Sequence, residues 1–130
     1  MLIISLVSLI SIKNYQVIQR TLVETLFVQQ VESKIKATQR LAIAYEQDYF
    51  FGFESNYFYV RSARTNQNEW QVMMPAHIKI SREDFVIKYL ANGNLSKIEK
   101  FDLILETKLE KVSYQFLLGS GQYKKTISNP

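Results

Sequence analysis

The sequence predicts an α+β protein in which one long N-terminal helix packs on an antiparallel β-sheet. Three observations lead there. No glycine or proline occurs before Gly52, so nothing tells a helix from Met1 to about Tyr45 to stop early. After Gln47-Asp48 the apolar period changes to two, and aromatic and β-branched residues take over. The remainder is cut by turn signals into short alternating segments, the layout of successive hairpins.

Such a helix would run roughly 65–70 Å at about 1.5 Å per residue, far beyond the average globular helix. Its start, Met1 to Ile12, is apolar on every face apart from small serines. From Asn14 onward it turns one-sided, with Ile18, Leu22, Leu26, Val28, Val31, Ile35, Leu41, Ala42 and Tyr45 in steps of mostly three and four. Glu32 and Lys36 form a favourable i,i+4 pair. A helix lying on a sheet fits this stripe. A dimeric coiled coil would also use it, although the stripe drifts from a strict heptad. The greasy start requires lipid or a tight bundle. Met1–Ile12 alone is shorter than the about 20 apolar residues of a spanning helix, and Tyr15, Val17 and Ile18 extend it past Lys13. It reads as the rear part of a membrane helix, without the basic start and small-residue cleavage site of a secretory signal. The chain thus divides into a membrane or core-packing part at 1–18, an amphipathic half-helix at 19–46 and an antiparallel sheet domain at 47–130.

The strands follow in order. Tyr49–Phe53 and Tyr57–Arg61 flank a Glu54-Ser55-Asn56 turn. Ala63–Glu69 reads as a polar loop before a short strand at Trp70–Met73, which Pro75 ends or leaves at an edge. His77–Ile80 alternates with its isoleucines inward. Phe85, Ile87 and Tyr89 alternate toward Asn92-Gly93, the strongest hairpin signal in the chain, and Phe101, Leu103 and Leu105 form the expected return strand. After a polar turn at Thr107–Glu110, Val112, Tyr114, Phe116 and Leu118 alternate. Gly119-Ser120-Gly121 then turns the chain into a last strand at Gln122–Ile127.

Composition removes several kinds of chemistry. The 130 residues include no cysteine and a single histidine, which excludes disulfides and thiolate chemistry and leaves little for a zinc site. His77 has no carboxylate near it in sequence, so the residues present no acid–base pair and point away from an enzyme. Glu83-Asp84 reads as a solvated turn, the glycines form no phosphate loop, and no cofactor is implied. The net charge of +4 is mild. Arg61 and Arg64 interleave with Tyr57 and Tyr59, and Lys124-Lys125 follow Tyr123, so these four cations are the candidate DNA contacts. Tyrosine-rich strands and surface lysines account for the same residues without DNA.

A greasy helix, its amphipathic continuation and an antiparallel sheet together resemble the type IV pilins and pseudopilins. The resemblance is carried by Leu6-Val7-Ser8-Leu9-Ile10 in a pilin-like membrane helix, and by Tyr114-Gln115-Phe116-Leu117-Leu118-Gly119-Ser120-Gly121-Gln122-Tyr123-Lys124-Lys125, which looks like the closing hairpin of the ComGD family of minor pseudopilins. It implies a structural subunit of a competence pilus in a Gram-positive bacterium, involved in DNA uptake. It also implies a single-pass membrane helix with the C-terminal domain outside the cytoplasm, reaching the cell surface after assembly. The implied partners are other competence pilins and the assembly machinery, with Leu2, Ile3, Leu6, Val7, Leu9 and Ile10 packing in the membrane and then in the pilus core. Prepilins carry a basic leader, a cleavage site and a glutamate ahead of this region. None of these precedes Leu2, so the expectation is that the sequence starts late relative to the family. The alternative is a membrane-tethered extracytoplasmic domain that binds or senses a ligand, which would show as a concave pocket with convergent polar groups.

Overall fold

A computed structural model describes Leu2–Leu118 and Gly121–Pro130, with the side chains of the first helix described from Lys13 onward. Helix α1 spans Leu2–Tyr45, 44 residues without interruption. It ends without a glycine. Glu46 takes the left-handed conformation at φ 53°, Gln47 N donates to Ala42 O at 3.2 Å, and Glu46 N donates to Ile43 O at 3.4 Å. These two bonds form a Schellman cap with Glu46 where glycine is usual.

Among the described residues eight strands follow: β1 Tyr49–Glu54, β2 Tyr57–Ser62, β3 Asn68–Met73, β4 Ile78–Ile80, β5 Val86–Tyr89, β6 Glu99–Leu105, β7 Glu110–Phe116 and β8 Tyr123–Ser128. They divide between two antiparallel sheets, ordered β3-β2-β1-β5 and β4-β6-β7-β8. The expected polar loop is shorter than the composition suggested. Asn68 already pairs with Arg61, after a register shift between Val60 and Arg61.

The Asn92-Gly93 hairpin expectation is corrected. The turn itself is tight: Gly93 has φ 87°, its N donates to Leu90 O at 2.8 Å, and Leu90 N donates to Asn94 O at 2.8 Å. Only a single bridge, Tyr89 to Leu95, follows it. The chain then leaves for the second sheet, so β5 and β6 never pair and the turn acts as the crossover. The dipeptide set the backbone bend but not the partner of the next strand.

The core lies where the sheets face one another. Phe53 of β1 and Phe85 meet Phe101 of β6, with ring centroids 5.2 and 4.5 Å apart. Phe116 and Tyr114 of β7 close the cluster behind Phe101. Alternation is clean in β6 and β7, because each buries one row of apolar side chains against the opposite sheet. The row ends at Phe116: Leu118, expected to continue it inward, is exposed. Tyr59, on the outer face of β2, lies over Gly52, where an added Cβ would stand 2.6 Å from its hydroxyl. That contact explains a glycine inside a strand.

Tyr114 is fully buried, yet its hydroxyl has no hydrogen-bond partner among the described residues. Burial pushes the phenol well above its ordinary value, with the Glu32 carboxylate adding to the rise. Tyr114→Phe removes an unsatisfied polar atom and keeps the ring, so it is expected to leave stability unchanged or raise it by about 1 kcal/mol in urea unfolding. A loss would reveal a partner for the hydroxyl.

Helix α1 lies between the outer strands of both sheets. Lys34 Nζ sits 4.0 Å over the ring of Trp70 in β3, and Glu32 pairs with Lys125 of β8 at 3.1 Å. Phe27 packs edge-on against Phe58 of β2. The buried row of the helix is Glu24, Phe27, Val28, Val31, Ile35, Thr38 and Ala42. Val28, Val31, Ile35 and Ala42 were expected there, but Ile18, Leu22, Leu26 and Tyr45 were also expected inward and are exposed. The inner face is rotated from the one that hydropathy selects, because a carboxylate and a hydroxyl occupy two of its positions.

Candidate functional site

Two features of α1 stand out. The first is an unpacked stretch ahead of the domain. From Lys13 to Arg20 every side chain is exposed. Tyr15, Ile18, Leu22 and Leu26 form a row at steps of three, four and four, and remain 66, 65, 55 and 53% exposed. A scattered apolar side chain on a surface is ordinary, but a continuous row along a helix marks a packing face. This row is separate from the buried one, so the same helix has one apolar face for its own sheets and another left open. Leu2, Ile3, Leu6, Val7, Leu9 and Ile10 lie on the helix ahead of that row, and their side chains fall outside the described set. Among the described residues no helix is long and apolar enough to cross a membrane.

The second feature is Glu24, where the free stretch meets the domain. Its side chain is fully buried. His77 Nδ1 donates to Oε2 at 2.7 Å, Thr107 N donates to Oε2 at 3.0 Å, and Lys108 N donates to Oε1 at 3.0 Å. Lys108 Nζ reaches Thr25 Oγ1 at 3.0 Å. One carboxylate thus ties the helix to the segment before β4 and to the β6–β7 turn. Burial alone would raise its pKa. The Thr107 amide, the imidazole and the Lys108 amide outweigh burial and hold the group below its ordinary value. The sequence concealed this pair: Glu24 lies 53 positions from His77. The available signal was a charged residue set at helical spacing inside Leu22-Val23-Glu24-Thr25-Leu26-Phe27-Val28.

The candidate DNA contacts do not form one patch. Arg61 lies in β2 of the first sheet, with Arg64 in the loop after it, while Lys124 and Lys125 are in β8 of the second. Arg61 is engaged: it stacks on Tyr59 at 4.2 Å, donates from Nε to Asn68 Oδ1 at 2.8 Å, and lies 3.5 Å from Glu54. Lys125 is taken by Glu32. Arg64 and Lys124 are exposed.

Sequence reasoning missed a cleft between α1 and the start of β8. It has a volume of about 480 Å³ and is lined by Lys36, Gln39, Arg40, Tyr89, Gln122 and Tyr123, among others. A second cleft of about 350 Å³ shares Lys36, Arg40 and Tyr123. Gly121, at φ 73°, lets the chain pass close beneath the first cleft, and its carbonyl accepts from Tyr89 Oη at 3.0 Å. Among the described residues no three His, Cys, Asp or Glu side chains gather to hold a metal ion. Glu83 and Asp84 are exposed.

No protein-family model, curated protein or solved structure matches this chain.

Proposed function

We propose that this chain is a structural subunit of a pilin-type filament, a minor pseudopilin of a competence pilus that takes part in DNA uptake. The observation that carries the reading is the division of labour along α1. One unbroken helix serves as core element for two antiparallel sheets over its second half, and offers an unpartnered apolar row over its first. That is the form required of a subunit that keeps its own fold while packing its stem against like stems. The fold is then pilin-like in its plan. In this reading Leu2, Ile3, Leu6, Val7, Leu9 and Ile10 hold the chain in the membrane before assembly, with the β-domain outside the cytoplasm, and the row from Tyr15 to Leu26 continues the packing face beyond the bilayer. The partners are other pilins and the machinery that assembles them. In this reading the role is mechanical rather than catalytic. The cleft beside β8 favours a second reading, a tethered extracytoplasmic domain that binds a ligand.

The test is to delete the gene in the bacterium that carries it and complement with the native chain or with Ile18→Asp/Leu22→Asp. Both positions are exposed, so the double variant is expected to fold like the native protein. Native complementation should restore transformation, and the variant should fall at least tenfold short while accumulating to native levels. Transformation that survives the deletion, or a variant that complements fully, would refute the filament reading.

A further inference from the structure

We infer that the cleft between the flank of α1 and the start of β8 is a binding site for single-stranded nucleic acid, gripped by Lys36 and Arg40 and stacked on Tyr123. The first ground is charge. The sequence assigns Glu32 to Lys36 as an i,i+4 partner, but Glu32, which itself lines the second cleft, pairs instead with Lys125 Nζ at 3.1 Å, so its charge there is neutralised. Neither Lys36 nor Arg40 forms an ion pair among the described residues. The two cations stand one helical turn apart on one flank, about 6 Å along the axis. Both are exposed and line both clefts.

The second ground is the aromatic floor. Tyr123 lines both clefts, half-buried. Its ring is set by Tyr114 and Phe116 beneath it, at 5.4 and 5.5 Å. A fixed ring in the same cleft as two cations is a combination that can stack a base and hold neighbouring phosphates, with no need for a particular base. The third ground is length. Two adjoining clefts that share three residues accommodate a strand better than a single ion. The site differs from the four cations singled out in the sequence, two of which are already engaged. It does not depend on the filament reading, because it lies wholly on the folded domain.

The experiment uses the full chain in a non-ionic detergent and a fluorescent oligothymidylate, titrated by anisotropy from low to moderate salt. Native protein should bind, with affinity falling as salt rises. Lys36→Glu/Arg40→Glu should weaken binding at least tenfold and flatten the slope of log affinity against log salt by about 1.4, the loss of two phosphate contacts on a single strand. Tyr123→Leu keeps bulk over Tyr114 and Phe116 while removing the π face, and should weaken binding roughly tenfold. Thermal melting of each variant separates lost binding from lost fold, and Lys36→Gln/Arg40→Gln provides a milder pair if the glutamates unfold the protein. No binding by the native chain at low salt would overturn the assignment, as would native affinity in the charge variants. Equal displacement of the oligonucleotide by inorganic polyphosphate, together with native affinity in Tyr123→Leu, would also overturn it by showing a site that reads charge alone.

Discussion

Replacing Glu24 with alanine is expected to cost about 3–5 kcal/mol of stability in urea unfolding, because it strands donors that were built around a buried carboxylate. His77 and the amides of Thr107 and Lys108 all lose their acceptor at once. Glu24→Gln keeps one acceptor oxygen and should lose less, about 1–3 kcal/mol. A double-mutant cycle with His77→Ala should show a coupling above about 0.5 kcal/mol, since the two side chains touch. The acid dependence has a definite sign. The Glu24 carboxyl lies below its ordinary value of 4.5 in the folded chain, so the unfolded chain takes up the proton first as pH falls. Its contribution is complete above the ordinary carboxylate range and is lost as pH drops through the folded value. Glu99, held low by Arg82 at 2.6 Å and Lys97 at 3.1 Å, keeps its own share of the acid limb in the Glu24 variants. A Glu24→Ala protein with native stability at neutral pH and unchanged acid dependence would show that this carboxylate does not hold the helix.

Phe101→Ala should be comparably damaging, at about 3–5 kcal/mol, through a different cause. The ring is 1% exposed and touches four others, Phe85, Tyr114, Phe53 and Phe116. Phe53 belongs to the first sheet and Phe85 leads into its β5, while Tyr114 and Phe116 are in the second. Removing Phe101 therefore opens a cavity at the seam between sheets rather than inside one. For a domain whose total stability is of order 5–15 kcal/mol, that loss removes a large part of the whole. Phe101→Leu fills most of the space and should cost about 1.5 kcal/mol. An alanine variant within about 1 kcal/mol of native would mean that the sheets are held together elsewhere.

The strands were legible because each carries its own period. Phe101-Asp102-Leu103-Ile104-Leu105 and Val112-Ser113-Tyr114-Gln115-Phe116 bury alternate side chains as the pattern says. What a local pattern does not hold is the identity of the strand alongside, and the partition into two sheets at Asn92-Gly93 went unread for that reason. The helix was legible as a helix and misread as to its face. Leu22 and Leu26 outweigh Glu24 and Thr38 on any hydropathy scale, yet Glu24 and Thr38 are the buried ones. Thr38 satisfies its hydroxyl on Lys34 O at 2.6 Å within the helix. Glu24 draws its partners from residues 77, 107 and 108, which no window on the helix contains. The cleft was hidden in the same way, since Lys36, Arg40 and Tyr123 meet only after β8 has folded back beside the helix.

The uninterrupted helix makes the molecule a lever with Glu24 near its fulcrum. Between Leu2 and Val23 lies an arm of about 33 Å that touches no sheet through a fully buried side chain among the described residues. A swing of about 10° at the fulcrum would carry the far end about 6 Å, roughly one helical turn. Tension along the arm would reach the carboxylate's hydrogen bonds before it reached the aromatic seam. Those bonds would then act as a mechanical fuse, yielding and re-forming while the packed rings stayed in place.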